Sequence, residues 1–309
     1  MAPRVSVVIP TYNRADLLRG AIASVLDQTR RAHEIIVVDD GSTDSTCDVV
    51  RGYGPPIVLL TQDHLRAAAA RNHGVARASG EWVAFLDSDD VWKPTKLERQ
   101  LEYLDRHPQC GLVHTGRFEF GGRERVIPAS PHFIEGDYRL EYLLFAEDWI
   151  CTSSALVRRN TAVTFREWCR WSQDIVYFAD LQRSGVQFGY VDEALVGYRV
   201  HAQSVNYEAG SQVGGVSMQW RWILEAFESQ PEEQLRLQRN LLTKVLRAMN
   251  LAKWSRDWNA YWQWRGWLME HWPPDLPPDR ILNEPIYPPV FYALKDRLEK
   301  LVLQSGPKR

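Results

Sequence analysis

The chain has 309 residues, of which 45% are hydrophobic and 25% are charged, the ordinary composition of a globular protein. This composition excludes a collagen-like, coiled-coil or disordered chain. The 37 basic and 39 acidic side chains leave a net charge of −2, so the overall charge does not favour nucleic acid as a partner. No run of about 18 apolar residues occurs, so we expect no membrane span.

The four cysteines lie far apart and form no C-x-x-C pair. This spacing predicts reduced thiols rather than a disulfide framework or a zinc site. The first residues also lack the apolar stretch of a signal peptide. Together these observations predict a cytoplasmic protein.

Residues 1–90 alternate short apolar runs with helical patterns, which predicts an α/β fold with a Rossmann-like, mostly parallel sheet flanked by helices. Four almost continuously apolar runs are predicted strands, at residues 5–9, 34–38, 57–60 and 82–86. Helical patterns cover residues 15–29 and about 65–78, a short helix lies between Thr43 and Gly52, and another helix follows Pro94.

From residue 111 to 206 the pattern is mixed, with predicted strands at 111–115, 155–158 and 195–200 and a helix at about 174–183. A glycine-rich break follows near residue 210. Beyond it, helical patterns cover residues 216–229, 232–253, 255–271 and about 290–303, and tryptophan is frequent. We therefore expect an α/β domain over residues 1–210 and a helical region over residues 211–309.

Three of the predicted strands run directly into polar residues. These clusters are Pro10, Thr11, Tyr12, Asn13 and Arg14 after the first strand, Asp39 and Asp40 after the second, and Asp87, Ser88, Asp89 and Asp90 after the fourth. The carboxyl ends of parallel strands meet at one edge of a sheet, where helix N-termini also point their N–H groups. We therefore expect the three clusters to surround one crevice.

The carboxylates expected in this crevice repel one another. Two unit charges about 5 Å apart, at an effective dielectric constant near 20, repel by roughly 3 kcal/mol. A divalent cation removes this repulsion and keeps open positions for a phosphate. Asp87 and Asp89 are one residue apart and point the same way in an extended segment, so they suit a hard, oxygen-ligated ion such as Mg²⁺ or Mn²⁺. The sequence thus predicts a shared metal and nucleotide site.

Several motifs carry a resemblance to a known family. They are VSVVIPTYNR at residues 5–14, VVDDGSTD at 37–44, ARNHG at 70–74, FLDSDD at 85–90, QD at 173–174 and GYRVH at 197–201. In this order they resemble the family 2 glycosyltransferases of the GT-A fold, over roughly residues 4 to 206. The resemblance implies transfer of a sugar from a nucleoside-diphosphate sugar to a hydroxyl of a glycan, lipid-linked or small-molecule acceptor, with inversion at the anomeric carbon.

The resemblance also implies roles in binding the nucleotide sugar. Thr11 and Asp40 would meet the nucleobase, with Asp39 nearby and Tyr12 as a stacking face. The motifs place four further residues in the same binding set, Pro10, Asn13, Arg14 and Ser88. Arg71 would neutralise diphosphate oxygens by charged hydrogen bonds, unless it is a solvated helix charge.

For the metal and the chemistry, the resemblance implies a second group of residues. Asp89 would be the principal metal ligand, and Asp87 would lie near the ribose or the metal. His201 would reach the metal or the diphosphate, or would be a simply hydrogen-bonded histidine. Asp174 would be the general base that takes the proton of the acceptor hydroxyl, although an acid at a helix start also stabilises the helix.

Two departures from the family pattern leave alternative functions open. Gln173 stands where the family usually has Glu, and residues 63–66 include Arg66 where an Asn and a Gly are usual. These departures keep open a nucleotide-sugar binding protein that lacks transferase activity. A sugar nucleotidyltransferase has a related fold but normally carries a glycine- and lysine-rich phosphate loop near its N-terminus, which this sequence lacks.

The tryptophan-rich C-terminal helices have several interpretations. Trp254, Trp258 and Trp262 share one helical face, whereas Trp264 and Trp267 turn toward a neighbouring face. We favour a buried helix that packs on the catalytic domain or on the preceding helix. Sugar stacking, peripheral contact with a membrane that carries a lipid-linked acceptor, and formation of a homodimer are the alternatives.

Overall fold

A computed structural model describes residues 4–122, 124–127, 138–145, 150–161, 163–201 and 211–271. In this part of the chain nine strands form one sheet in the order β3-β2-β1-β4-β8-β6-β9-β5, with β7 paired to β6. The strands are β1 (Val5–Thr11), β2 (Glu34–Asp39), β3 (Ile57–Thr61), β4 (Trp82–Phe85), β5 (Val91–Trp92), β6 (Cys110–Phe120), β7 (Arg125–Ile127), β8 (Leu156–Arg158) and β9 (Gln187–Arg199).

Helices connect the strands, and those within the first 183 residues contribute side chains to the cores beside the sheet. The described helices are α1 (Ala15–Leu26), α2 (Thr46–Arg51), α3 (Arg66–Arg77), α4 (Lys96–Arg106), α5 (Leu140–Phe145), α6 (Gln173–Arg183), α7 (Ser211–Ala226), α8 (Pro231–Trp254) and α9 (Trp258–His271). The predicted α/β class, with a mostly parallel sheet and helices in the C-terminal region, is therefore confirmed. The helix predicted over residues 290–303 lies outside the described residues.

Strands β3, β2, β1 and β4 are parallel, and apolar cores cover both of their faces. On one face, Val7 and Ile9 pack in a core with residues of α1 and α4, including Leu18 and Leu97. On the other face, Val8 packs in a core with residues of α3 and α6. Burial on both faces explains why these strands are continuously apolar in the sequence.

Helix α3 lies close to the sheet because one of its faces carries small residues. Ala68 and Ala70 belong to the core beside Val8. A Cβ added to Gly74 would overlap the side chain of Val8 and approach Val38 within 3.2 Å. The small residues therefore let this helix approach β1 and β2 closely, which sets the position of the polar residues that follow Ala70.

The second half of the sheet is mixed rather than parallel. Strand β8 runs antiparallel to β4 and to β6, whereas β9 runs parallel to β6 with several register shifts. Strand β9 begins at Gln187, earlier than the predicted start at residue 195. Its first half carries Gly189, Asp192 and Glu193, so the sequence there shows no continuous apolar run of the kind that marks the core strands. The two-residue strand β5 pairs with β9 through Val91 and Trp92.

Contacts between residues divide the chain into two compact units, Met1–Leu237 and Gln238–Arg309. Helix α7 belongs to the first unit, so this division falls later than the composition change near residue 210. In the second unit, α9 buries Trp264 and Trp267 and leaves Trp258 and Trp262 more than half exposed. No helix among the described residues is long and apolar enough to cross a bilayer.

Candidate active site

The three polar clusters lie at the same edge of the sheet, as the parallel arrangement predicts. Thr11 at the end of β1 is paired in register with Asp39 at the end of β2. The Asp40 amide donates to the Thr11 carbonyl oxygen at 2.9 Å. The Leu86 amide, beyond β4, donates to the Val8 carbonyl oxygen at 3.0 Å. Strand register alone therefore brings the three loops together.

Thr11 and Asp39 are buried polar residues with hydrogen-bonding capacity left over. They are 3% and 2% exposed. One oxygen of Asp39, Oδ2, accepts from the Ser42 amide at 3.0 Å. Neither Thr11 Oγ1 nor Asp39 Oδ1 has a hydrogen-bond partner among the described residues. A buried polar atom without a partner is costly, so this pair of oxygens suits a ligand that donates a hydrogen bond.

Asp40, in contrast, is fully engaged at the start of α3. Its Oδ1 accepts from the Leu65 amide and from Gln62 Nε2, both at 2.8 Å. Its Oδ2 accepts from the Arg66 amide at 2.7 Å and lies 3.1 Å from His64 Nδ1. These contacts engage both oxygens of the carboxylate, and His64 Nδ1 lies equally close, at 3.1 Å, to the Asp40 carbonyl oxygen. A contact with the nucleobase, as predicted for Asp40, would replace one of them.

Arg66 has a left-handed backbone conformation, with φ of 75°. This conformation turns its amide toward Asp40 at the position where the family pattern usually has small residues. Its side chain is exposed. The departure from the family pattern is thus accommodated by the backbone, at the cost of strain that a glycine would not carry.

The loop after β1 is tied to the loop after β2. Asn13, with φ of 50°, accepts from the Thr43 amide through Oδ1 at 2.8 Å. The Arg14 amide donates to Thr46 Oγ1 at 3.1 Å. Pro10 lies within β1, paired with Val38, and its contact with the nucleotide sugar stays a prediction.

Tyr12 stands out from this loop and is 40% exposed. Its ring centroid lies 4.0 Å from that of His64, with the rings tilted by 34°. The exposed aromatic surface next to Thr11 and Asp39 agrees in position with the stacking face predicted for Tyr12. His64 itself was not among the predicted site residues, because a lone histidine in a polar loop gives no pattern to recognise.

The polar residues 87–90, in the loop after β4, have different partners. Asp87 pairs with Arg71, and Asp89 Oδ2 lies 3.0 Å from His201 Nε2. Ser88 is 8% exposed and Asp90 is 1% exposed. The charges of Asp87 and Asp89 both act on Asp90, so these carboxylates lie near one another although each has its own partner.

Asp90 is the buried anchor of the loop. Its Oδ2 accepts from Ser153 Oγ at 2.7 Å, and its Oδ1 accepts from the Arg199 amide at 3.0 Å. Ser153 Oγ also accepts from the Asp87 amide at 3.0 Å. Burial, and then the charges of Asp89 and Asp87, raise the pKa of Asp90 well above its usual value. Ser153 was missed at the sequence level, since it lies 63 residues from Asp90.

The donor atoms near Asp89 fit a divalent cation in part. Asp89 Oδ2 and His201 Nε2 are close enough to bind one ion together, and a carboxylate with an imidazole suits Mn²⁺ better than Mg²⁺. The described residues contain no preformed group of three acidic, histidine or cysteine ligands. Asp87, the third predicted ligand, is held by Arg71 instead.

Arg71 links the end of β4 to the start of α6. It is only 6% exposed, which excludes a solvated helix charge. Its Nη2 lies 2.5 Å from Asp87 Oδ1, and its Nη1 donates to Gln173 Oε1 at 3.0 Å. Its Nε has no hydrogen-bond partner among the described residues. A buried guanidinium at the carboxyl edge of a sheet is a suitable partner for phosphate oxygens.

Asp174 is the second residue of α6, next to Gln173. Its Oδ1 accepts from the Ile175 amide at 2.9 Å. Burial raises the pKa of the Asp174 carboxyl above its ordinary value; the Ile175 amide and Arg71 oppose this shift, and Asp87 adds to it. A carboxylate whose affinity for protons is raised in this way is a better general base than an exposed one. The structure thus brings Asp174 into the same charge environment as Arg71 and Asp87.

The architecture can be compared with solved structures. The 1–349 fragment of S. aureus TarS, in complex with UDP-GlcNAc, matches with a TM-score of 0.65 at 17% identity, over 87% of this chain and 80% of that fragment. The mannosyltransferase PcManGT of Pyrobaculum calidifontis, in complex with GDP-Man and Mn²⁺, matches with a TM-score of 0.58 at 18% identity, over 96% of this chain and 81% of PcManGT. At these identities the likeness concerns the fold alone. The fold is that of a GT-A glycosyltransferase.

Sequence relatives identify the family. A sequence model described as Glycosyl transferase family 2 matches residues 6–163. The putative teichuronic acid biosynthesis glycosyltransferase TuaG of Bacillus subtilis (strain 168) is 33% identical over 211 residues, which cover 66% of this chain and 82% of TuaG. The chain therefore belongs to glycosyltransferase family 2, and the predicted resemblance is confirmed. It is an enzyme of the glycosyltransferase class.

Proposed function

We propose that the protein is a metal-dependent, inverting glycosyltransferase that moves a sugar from a nucleoside-diphosphate sugar to a hydroxyl acceptor by single displacement. The observation that carries this proposal is the contact of buried Arg71 with both Asp87 and Gln173, the neighbour of Asp174. Arg71, the candidate phosphate-binding side chain, and Asp174, the candidate base, therefore lie at the same edge of the sheet. The leaving diphosphate and the attacking hydroxyl must also lie close to each other during transfer.

In this proposal the nucleobase lies against Thr11 and Asp39, whose unpartnered oxygens accept its N–H group, and stacks on Tyr12. Asp40 supports this subsite by holding the turn before α3. Arg71 exchanges part of its contact with Asp87 for diphosphate oxygens. TarS and PcManGT were solved with UDP-GlcNAc and GDP-Man, so uridine and guanosine donors are the first to test.

Asp89 and His201 would hold the cation, with Asp87 beside them. When bound, Mn²⁺ or Mg²⁺ stabilises the negative charge that grows on the departing diphosphate. Asp174 accepts the proton of the acceptor hydroxyl as that oxygen attacks the anomeric carbon from the face opposite the diphosphate. The neutral Gln173 keeps Arg71 oriented without adding a further negative charge beside the base.

The acceptor and the cellular setting are broader parts of the proposal. TuaG and the amylovoran biosynthesis glycosyltransferase AmsB of Erwinia amylovora bear names from polysaccharide biosynthesis, which makes a glycan or lipid-linked acceptor the first choice. The cytoplasmic location, peripheral membrane contact and a homodimer through the C-terminal helices stay predictions.

The test is a panel of nucleotide sugars, including UDP-GlcNAc and GDP-mannose, assayed with Mn²⁺, with Mg²⁺ and with a chelator. Release of nucleoside diphosphate measures transfer to water or to an added acceptor. We expect release with one donor, its loss on chelation, and a decrease of about 100- to 10,000-fold in Asp174→Asn. Asp105→Asn, on the exposed face of α4, is the matched control.

Two results would contradict this proposal. Tight binding of a nucleoside diphosphate without release from any donor would identify a nucleotide-sugar binding protein, the function that Gln173 and Arg66 keep open. Full activity in Asp174→Asn would remove the base from the mechanism while leaving the glycosyltransferase class unchanged.

A further inference from the structure

Asn72 follows the site arginine on α3 and pairs with a main-chain segment that is distant in sequence. Its Nδ2 donates to the Phe165 carbonyl oxygen, and its Oδ1 accepts from the Phe165 amide, both at 2.9 Å. Nδ2 also donates to Glu167 Oε1 at 3.1 Å. Both N–H groups of the carboxamide are therefore used within the protein, so Asn72 is not suited to bind the donor.

The Phe165 ring connects this contact to the helix that carries the proposed base. It stacks on the Tyr177 ring with centroids 3.9 Å apart and planes 9° apart, and both residues are buried. Tyr177 is on α6, three residues after Asp174, and so lies on the adjacent turn of the same helix face. The Arg71 guanidinium carbon lies 5.2 Å from the Phe165 centroid. Phe85 of β4 meets both rings edge-on.

We propose that Asn72 is a positioning residue for the transfer step: through Phe165 it sets the start of α6, and hence Asp174, relative to Arg71. The inference rests on the proposed function, in which Asp174 is the base. In this proposal two neighbouring residues of α3 have different roles. Arg71 faces the diphosphate, and Asn72 holds the segment at Phe165 that positions Asp174. A displacement of about 1 Å in such an arrangement can lower a rate about 100-fold.

The experiment measures donor hydrolysis and nucleotide binding separately, with UDP-GlcNAc or GDP-mannose, whichever the panel identifies as a substrate. In Asn72→Ala we expect kcat for hydrolysis to fall about 10- to 100-fold, while calorimetry gives a Kd for the corresponding UDP or GDP within about threefold of wild type. Glu167→Ala removes only the third contact of Asn72, so this control should keep the wild-type kcat.

A second variant tests the route through the ring. Phe165→Leu keeps the main-chain pairing with Asn72 and removes the stack on Tyr177, so it should lower kcat by a similar factor. If both residues act through one contact, the double variant Asn72→Ala/Phe165→Leu loses no more than the worse single variant. Where Asn72→Ala fails to fold, Phe165→Leu provides the same separation of kcat from nucleotide affinity.

Three outcomes overturn the inference. The first is a wild-type kcat in Asn72→Ala, or in Phe165→Leu where Asn72→Ala fails to fold. The second is a loss of nucleotide affinity equal to the loss of kcat, which would place Asn72 at the donor instead. The third is less folded protein with unchanged kcat per nucleotide-binding site, which would make the contact purely structural. Asp174→Asn separates the two proposals, because an inactive Asp174→Asn beside a fully active Asn72→Ala refutes only the positioning role.

Discussion

The two ends of the crevice hold their carboxylates by different means. At the end formed by Asp39 and Asp40, carboxylate oxygens accept from main-chain amides of nearby loops. At the other end, buried Arg71 pairs with Asp87, and its charge also acts on Asp174. Arg71 and its hydrogen-bond partner Gln173 are 102 residues apart in the sequence. The end with Asp39 and Asp40 is therefore held by hydrogen bonds between neighbouring loops. The end with Asp87 and Asp174 depends on the packing of α3 against α6.

This difference indicates where substitutions act. A local hydrogen-bonded carboxylate can be lost at a modest cost to its own loop. When a buried charge that contacts several groups is removed, the oppositely charged partners stay buried without a compensating charge. Substitutions at the end with Asp87 and Asp174 should therefore lower activity most. Substitutions at the end with Asp39 and Asp40 should affect nucleotide binding in one case and stability in the other.

After Asp174→Asn, the largest effect is expected from Arg71→Ala. It removes the guanidinium that the proposed function places at the diphosphate and leaves Asp87 without its Arg71 partner, so donor kcat/KM should fall about 100- to 1,000-fold. Arg71→Lys should restore little of it, because an ammonium cannot bond to Asp87 and Gln173 as a planar fork does. Steady-state kinetics with Arg77→Ala, at the end of the same helix, as control would check this; equal kinetics in both variants would refute it.

Smaller effects are expected from Asp39→Asn and Asp40→Asn, the first on nucleotide binding and the second on stability. Asp39→Asn should weaken nucleoside-diphosphate binding about 10- to 100-fold with little change in stability. The reason is that Asp39 Oδ1 has no hydrogen-bond partner among the described residues and is available to accept from the ligand. Asp40→Asn should instead lower the free energy of unfolding by about 1–3 kcal/mol with a near-normal Kd, because all its partners lie within the protein. Calorimetry and urea unfolding measure the two quantities, and the reverse pattern would assign the nucleobase to Asp40.

The pH dependence tests the second end of the crevice. The pKa of Asp174 is raised in the folded protein, and a base must be deprotonated, so kcat should decrease on acidification at a higher pH than an ordinary aspartate allows. The same shift makes ionised Asp174 destabilising above its unfolded pKa. Asp174→Asn should therefore be at least as stable as wild type at neutral pH, and a clear loss of stability there would contradict the raised pKa.

The smallest effect is expected at Arg66, which has a positive φ. Arg66→Gly should raise the free energy of unfolding by about 0.5 kcal/mol, because relief of the strained backbone slightly exceeds the added flexibility of the unfolded chain. Thermal or urea unfolding measures this change. A destabilised variant would mean that the Arg66 side chain makes a stabilising contact.

The position of the crevice could be predicted from the sequence. The apolar runs at residues 5–9, 34–38 and 82–86 identify buried parallel strands, and parallel strands present their carboxyl ends at one edge. That geometry is sufficient to bring Thr11, Asp39 and Asp87 to one crevice. The family motifs carry the remaining information, since they place Arg71 and Asp174 at the same edge.

The partners of these side chains were decided by the tertiary structure alone. No pattern of spacing indicates that Asp87 faces Arg71 while Asp89 faces His201, or that both carboxylate oxygens of Asp40 accept from residues before and at the start of α3. The contacts of Asn72 and Ser153 span 93 and 63 residues. Periodicity reports which face of an element is buried, whereas the direction of a polar side chain depends on which distant segment packs against it.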